Sequence, residues 1–187
     1  METNMANIIG VSGSITSPSR TRALVETIVT KAAQRLHASG DVVDIAQLID
    51  VLGTTVSFND FPAAIQTAHD KLRNAELIVI ASPVYKASYT GLMKHFFDLL
   101  DPKALNGKVA ILAATGGSDQ HASILDYQLR TLATFFGLYT VPTAIYAKDS
   151  EFTNYKLTSE AIEQRIDVAL EQAALLLARP APQALVA

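Results

Sequence analysis

The chain has 187 residues, 49% of them hydrophobic and 18% charged, a balance that supports one globular core and excludes a disordered chain. Its formal net charge is −3 with no basic block, so it carries no electrostatic footprint for nucleic acid. The absence of cysteine excludes disulfides, thiol nucleophiles and cysteine-ligated metals, and fits a reducing compartment.

The opening residues Met1 to Met5 have neither the basic region nor the apolar stretch of a secretory signal. No apolar run reaches the roughly 18 residues that cross a bilayer, so a cytoplasmic protein without membrane contact is expected. Short apolar runs then alternate with amphipathic stretches, the pattern of βαβ units around a parallel sheet. Asn7 to Ser12 reads as the first strand. A helix follows from about Thr21, with Leu24, Ile28, Ala32 and Leu36 at helical spacing and Gly40 as its stop. Asp41 to Ile45 is a short second strand, and 46–62 reads only as loop. A helix over about 63–74 leads into Leu77 to Ala81, an apolar run suited to a central strand covered on both faces. Another helix spans about 90–100, and Val109 to Ala114 is the fourth strand. A helix from His121 to Phe136, a fifth strand within Pro142 to Ala147 and a helix from Thr158 to Ala178, with Ser159 as cap, complete the set. The expected architecture is an α/β, doubly wound, five-stranded parallel sheet of order 2-1-3-4-5. It forms one domain over 1–187, with a core of about 7–179 and a proline-broken tail over 180–187.

In such sheets ligands bind outside the carboxyl ends of the strands. Three unusual loops fall there. Ser12 to Thr21 is rich in hydroxyls, carries Arg20 and opens a helix, whose N-terminal amides attract phosphate. Its single glycine matches neither GxGxxG nor GxxxxGK[ST], which favours a mononucleotide; an ordinary capped βα loop is the plain alternative. Ser82 to Gly91 offers Pro83, Tyr85 and Tyr89 as a wall for a planar ring, although Tyr89 reads better as packing. Thr115-Gly116-Gly117-Ser118 lets backbone amides approach a ligand, with a plain turn as the competing reading. Together they form a consistent site for a phosphorylated aromatic cofactor.

These residues, with Ala81 to Lys94 between the outer loops, resemble the flavodoxin-like NAD(P)H-dependent FMN reductases. The likeness, from about Asn7 to Arg179, is greatest to reductase components of two-component alkanesulfonate and methanesulfonate monooxygenases. The resemblance implies FMN and NADPH or NADH as cofactors, hydride transfer from nicotinamide to flavin, and a homodimer or homotetramer. It also implies reduced flavin passed to a flavin-dependent monooxygenase of sulfonate sulfur metabolism. Carried over by position, Ser12, Ser14, Ser19, Arg20 and Thr21 would hold the phosphate, and Pro83, Val84, Tyr85 and Lys86 would border the flavin ring. Thr115, Gly116 and Gly117 would line its pyrimidine side, with Ser118 also among the cofactor-binding residues. Alkanesulfonate-type relatives can carry an extra aromatic residue that distorts the helix after Thr-Gly-Gly. Asp126-Tyr127 stands at that place, making Tyr127 an interface and flavin-release candidate.

No side-chain acid or base is expected to be catalytic, since the flavin carries the chemistry. His121 is a candidate contact for nicotinamide or flavin, or a polar helix-start residue. The scattered His37, His69, His95 and His121 form no metal motif. Asp98 and Asp101 read as solvent-facing or capping, and the face of Leu125, Leu129, Leu132, Phe135 and Phe136 as core and interface. The rival readings are a quinone or azo-dye reductase with retained FMN, a non-enzymatic flavodoxin-type carrier, and an interaction domain with a degenerate cleft.

Overall fold

The computed structural model describes residues 7–57 and 60–178; the opening residues and the proline-broken tail lie outside them. β1 (Asn7–Ser12), β2 (Ser39–Asp44), β3 (Leu77–Pro83) and β4 (Val109–Gly116) form a parallel sheet in the order β2-β1-β3-β4. The fifth position is filled twice, by β5 (Tyr139–Thr140) and β6 (Ile145–Lys148), each parallel to β4. The order is the expected one, but a single fifth strand is not present. Val141 N–H still reaches Ala110 O at 3.0 Å; then Pro142 has no N–H to give, and Thr143 N–H turns to Gln172 Oε1 at 2.9 Å. Arg130 braces the break, donating to Thr140 Oγ1 at 2.7 Å and Val141 O at 3.2 Å.

Successive strand residues alternate between two buried layers, as the pleat requires. Ile8, Val79 and Ile111 pack with α1 (Arg20–Leu36) and α6 (Glu160–Leu177). Ile9, Ile78, Ile80 and Leu112 pack on the other face with α2 (Ile49–Leu52), α3 (Ala63–Arg73), α4 (Gly91–Asp98) and α5 (Arg130–Phe135). Burial of each large aliphatic side chain contributes roughly 1.5–3 kcal/mol. No helix of the described residues is long and apolar enough to cross a membrane.

Three local expectations are corrected. α1 stops at His37, which takes the left-handed conformation (φ 50°) while Ala38 N–H bonds Ala33 O at 3.0 Å; Gly40 is instead a residue of β2. A Cβ there would lie 2.7 Å from Val29 Cγ1, so the glycine lets the strand lie against the helix. Segment 46–62 is not all loop: a 3₁₀ turn over Ile45–Gln47 and the single turn of α2 are anchored by buried Leu48 and Leu52. Elements this short have no periodicity to read. The expected helix from His121 to Phe136 is divided into a 3₁₀ turn (Asp119–His121), a π segment (Leu125–Leu129) and α5. The π segment turns Leu125 and Leu129 inward and leaves Tyr127 81% exposed.

Buried His69 lies between Phe61 and Phe96, at ring distances of 5.6 and 4.8 Å. Its Nε2–H donates to Phe96 O at 3.2 Å, and Nδ1 has no partner, so a second ring proton would be buried unpaired. Burial holds its pKa below the ordinary value of about 6.5. The unfolded chain therefore binds this proton first. The stability from a neutral His69 is full above about pH 6.5 and declines as the pH falls toward the lower folded value. Thermal unfolding at about pH 7.5 and about pH 5.5 should show a larger acid loss for the wild type than for His69→Gln.

Candidate active site

At the carboxyl edge of the sheet the three loops enclose a cleft of about 230 Å³. The first loop contributes Ser14, Ser19, Arg20 and Thr21, the second Pro83, Val84 and Tyr85, and the third Thr115, Gly116 and Gly117. Ser12, Lys86 and Ser118 are not among its lining residues. Ser12 is fully buried at the end of β1, with no partner for its hydroxyl. Lys86 is exposed at a turn, and Ser118 caps the following 3₁₀ turn by accepting from Gln120 N–H at 3.3 Å.

Cross-loop hydrogen bonds hold the cleft together. Gly13 N–H donates to Ala81 O at 2.7 Å, and Gly13 O accepts from Thr90 Oγ1 at 2.6 Å. A Cβ on Gly13 would approach Met93 Sδ to 2.3 Å, so glycine is required where the loop crosses α4. Thr21 and Thr115 share a buried hydroxyl–hydroxyl bond of 2.6 Å, and Val84 N–H reaches Thr115 O at 2.8 Å. Ser19 caps α1 by accepting from Arg22 N–H at 3.2 Å, which opens the positive end of the helix on the cleft.

The second loop closes as a tight turn in which Tyr85 and Ser88 exchange backbone bonds of 2.9 and 3.1 Å. Lys86 (φ 50°) and Ala87 (φ 63°) between them are left-handed without being glycine. Gln128, in the π segment, accepts from Ser88 Oγ at 2.5 Å and donates to Ala87 O at 2.8 Å, holding that turn. Tyr85 stands 44% exposed beside the cleft, whereas Tyr89 packs on the core.

Gly116 lies under Tyr146, whose hydroxyl donates to Ser118 O at 2.6 Å. Burial raises the Tyr146 pKa, with further increments from Asp119, Asp149 and Glu151 against the lowering effect of the Ser118 bond, so it stays a neutral donor. The His121 ring edge sits beside Gly116 rather than lining the cleft.

Sequence reasoning missed four lining residues: Thr16, Pro18, Asp149 and Tyr155. Asp149 directly follows β6 and was within reach of the rule about carboxyl ends, applied to the fifth strand. Tyr155 had no local signal. Both meet Arg20: Asp149 Oδ1 lies 3.6 Å from its guanidinium, and the Tyr155 ring centroid lies 5.5 Å away.

A second, larger groove of about 690 Å³ runs along the helices on the α4 and α5 side. Phe61, Phe97, Tyr127, Leu132 and Phe135 line it, with the Lys94–Asp98 ion pair at its margin. It meets the second loop only at Tyr89 and is mainly apolar, so it does not suit a phosphate.

The sheet order and its hydroxyl-rich carboxyl edge define a flavodoxin-like α/β protein. Residues 6–153 match the NADPH-dependent FMN reductase family, and the chain belongs to it. It is 41% identical to an FMN reductase (NADPH) of Pseudomonas aeruginosa, across 93% of this chain and 94% of that one. With the NADH-dependent FMN reductase SfnF of Pseudomonas putida it shares 40% identity, across 91% and 92%. A solved oxidoreductase of Corynebacterium diphtheriae superimposes with a TM-score of 0.80 at 31% identity, covering 92% of this chain and 97% of that one.

Adjacent glycines should answer differently to alanine. A Cβ on Gly116 would fall 2.5 Å from the Tyr146 hydroxyl, whereas one on Gly117 meets only Asp149 Oδ2, at 3.8 Å. Gly116→Ala should cost about 1–3 kcal/mol in thermal or urea unfolding, while Gly117→Ala should unfold as the wild type does. Equal stabilities would contradict the packing described.

Proposed function

We propose that the cleft is the flavin site of a cytoplasmic NAD(P)H-dependent FMN reductase that releases reduced FMN to a flavin-dependent monooxygenase. The observation that carries this reading is the convergence of the three loops on one cleft, with a helix N-terminus and Arg20 at one end and a glycine pair at the other. That combination suits FMN, which has a dianionic phosphate and a flat ring with polar edges.

The residues have separable tasks. Ser14, Ser19, Arg20 and the first turn of α1 bind the phosphate, charge against charge. Pro83 to Tyr85, pinned to β4 through Val84 N–H, border the ring, and Gln128 keeps the adjoining turn in place. Thr115, Gly116 and Gly117 bring backbone close to its polar side without a Cβ between. Bound FMN supplies the redox chemistry by accepting a hydride from the nicotinamide. The lining residues include no histidine, and their one carboxylate, Asp149, is paired with Arg20, which suits a reaction needing no side-chain proton transfer. His121, beside Gly116, is assigned to nicotinamide contact. Tyr127 and Phe135, 81% and 68% exposed in the apolar groove, are assigned to contact with a second copy in a homodimer or homotetramer.

Anaerobic NAD(P)H oxidation by apoprotein, titrated with FMN, tests this. Saturable dependence on added FMN and release of reduced FMN are expected, with Arg20→Ala raising the FMN KM about tenfold. Retained flavin that turns over only with quinone or azo dye would replace free-flavin reduction with a tight-flavin reductase. No turnover with any acceptor would overturn the assignment.

A further inference from the structure

After β6 and Asp149 the chain makes a small antiparallel hairpin, β7 (Phe152–Thr153) and β8 (Lys156–Leu157). Phe152 is buried in the α1 and α6 layer, and Leu157 packs against it. Glu151 ties down the base, its carboxylate accepting from Lys148 N–H at 2.6 Å and its carbonyl from Thr158 N–H at 2.9 Å. The tip, Asn154 (φ 48°) and Tyr155 (φ 60°), is left-handed at both positions. Asparagine tolerates this region, but a bulky aromatic residue rarely enters it, and glycine is the usual occupant of such a turn. The strained position holds the Tyr155 ring 5.5 Å from the Arg20 guanidinium, which Asp149 also meets at 3.6 Å. The stretch that matches the family ends at residue 153, before Tyr155.

We infer that Asp149 and Tyr155 form a rim that tunes how tightly the cleft holds the FMN phosphate, Tyr155 by orienting Arg20 and Asp149 by competing for it. The inference rests on Arg20 being a phosphate ligand. The Arg20–Asp149 contact is long, and its side chains are 42% and 53% exposed, so it breaks readily. A phosphate dianion is the stronger partner, because it can bond the planar guanidinium bidentately as a carboxylate can but carries twice the charge. Arg20 thus exchanges one anion for another. Asp149 still lines the cleft after the exchange, where its like charge opposes the phosphate. The Tyr155 ring narrows the orientations of the guanidinium through a cation–π contact. The two residues therefore act in opposite directions, and a flavin that must leave is held with moderate affinity.

Binding of FMN and of riboflavin, which has the same ring but no phosphate, is measured by flavin fluorescence for the wild type and four variants. Arg20→Ala should weaken FMN and spare riboflavin. Asp149→Asn should tighten FMN about three- to tenfold, an advantage that shrinks as salt is raised, with riboflavin unchanged. Tyr155→Gly, which relieves the backbone strain and should keep the melting temperature, should weaken FMN about threefold, and Tyr155→Phe should bind as the wild type does. If Arg20→Ala alters both flavins equally, the phosphate assignment fails and the rim with it. If Arg20→Ala is selective but Asp149→Asn leaves FMN unchanged or weaker, or Tyr155→Gly changes both flavins alike, the rim alone is overturned.

Discussion

One hydroxyl–hydroxyl hydrogen bond, 2.6 Å between Thr21 and Thr115, joins segments 94 residues apart and turns separate loops into a single cleft. It can form because the sheet is parallel. In register, Ser12 of β1 pairs with Ala81 of β3, and Pro83 of β3 with Thr115 of β4, so all three strands end at the same edge. Both hydroxyls are buried, and loss of either would leave the other without a partner, at a cost of about 1–3 kcal/mol. The bonds from Thr90 to Gly13 and from Val84 to Thr115 extend the same bracing to the second loop. These bonds commit some side-chain atoms to structure: the Thr21 hydroxyl bonds Thr115, while the Ser19 oxygen accepts from its own helix and keeps its proton to donate.

Backbone strain gathers around this edge. Of the five described non-glycine residues with positive φ, Lys86 and Ala87 sit on the second loop and Asn154 and Tyr155 on the hairpin over the first; the fifth, His37, ends α1 elsewhere. Each pair is held by something external to the turn: Gln128 for one, the buried hairpin base for the other. Such conformations persist when surrounding structure over-determines them, and they concentrate where geometry serves a ligand.

The π segment links the two concavities. Gln128 bonds the turn of the second loop and also lines the apolar groove, where its neighbour Tyr127 stands exposed. One short irregular turn thus borders the groove and also holds the turn of the second loop. A partner covering the groove would meet the element that holds the second loop.

Much of this was legible from residues alone, because parallel sheets announce themselves locally. Runs such as Leu77 to Ala81 have to be apolar when both faces are covered, and each is followed by loop residues whose chemistry can be read directly. The strand order and the three loops came from that, and the family resemblance supplied most of the cleft lining by position. The division of the fifth strand at Pro142, the single turn of α2 and the π segment did not. They depend on which partner each amide finds, and short elements carry no period. Asp149 and Tyr155 are the clearest case: neither belongs to a motif, and their meeting with Arg20 requires β6, the hairpin and α1 to be in place. The sequence by itself determined the layers and the edge at which the three loops gather, since these follow from local hydrophobic pattern. Only the tertiary structure decided which hydroxyls remain for the ligand and what stands against Arg20, because those are contests between groups distant in the chain.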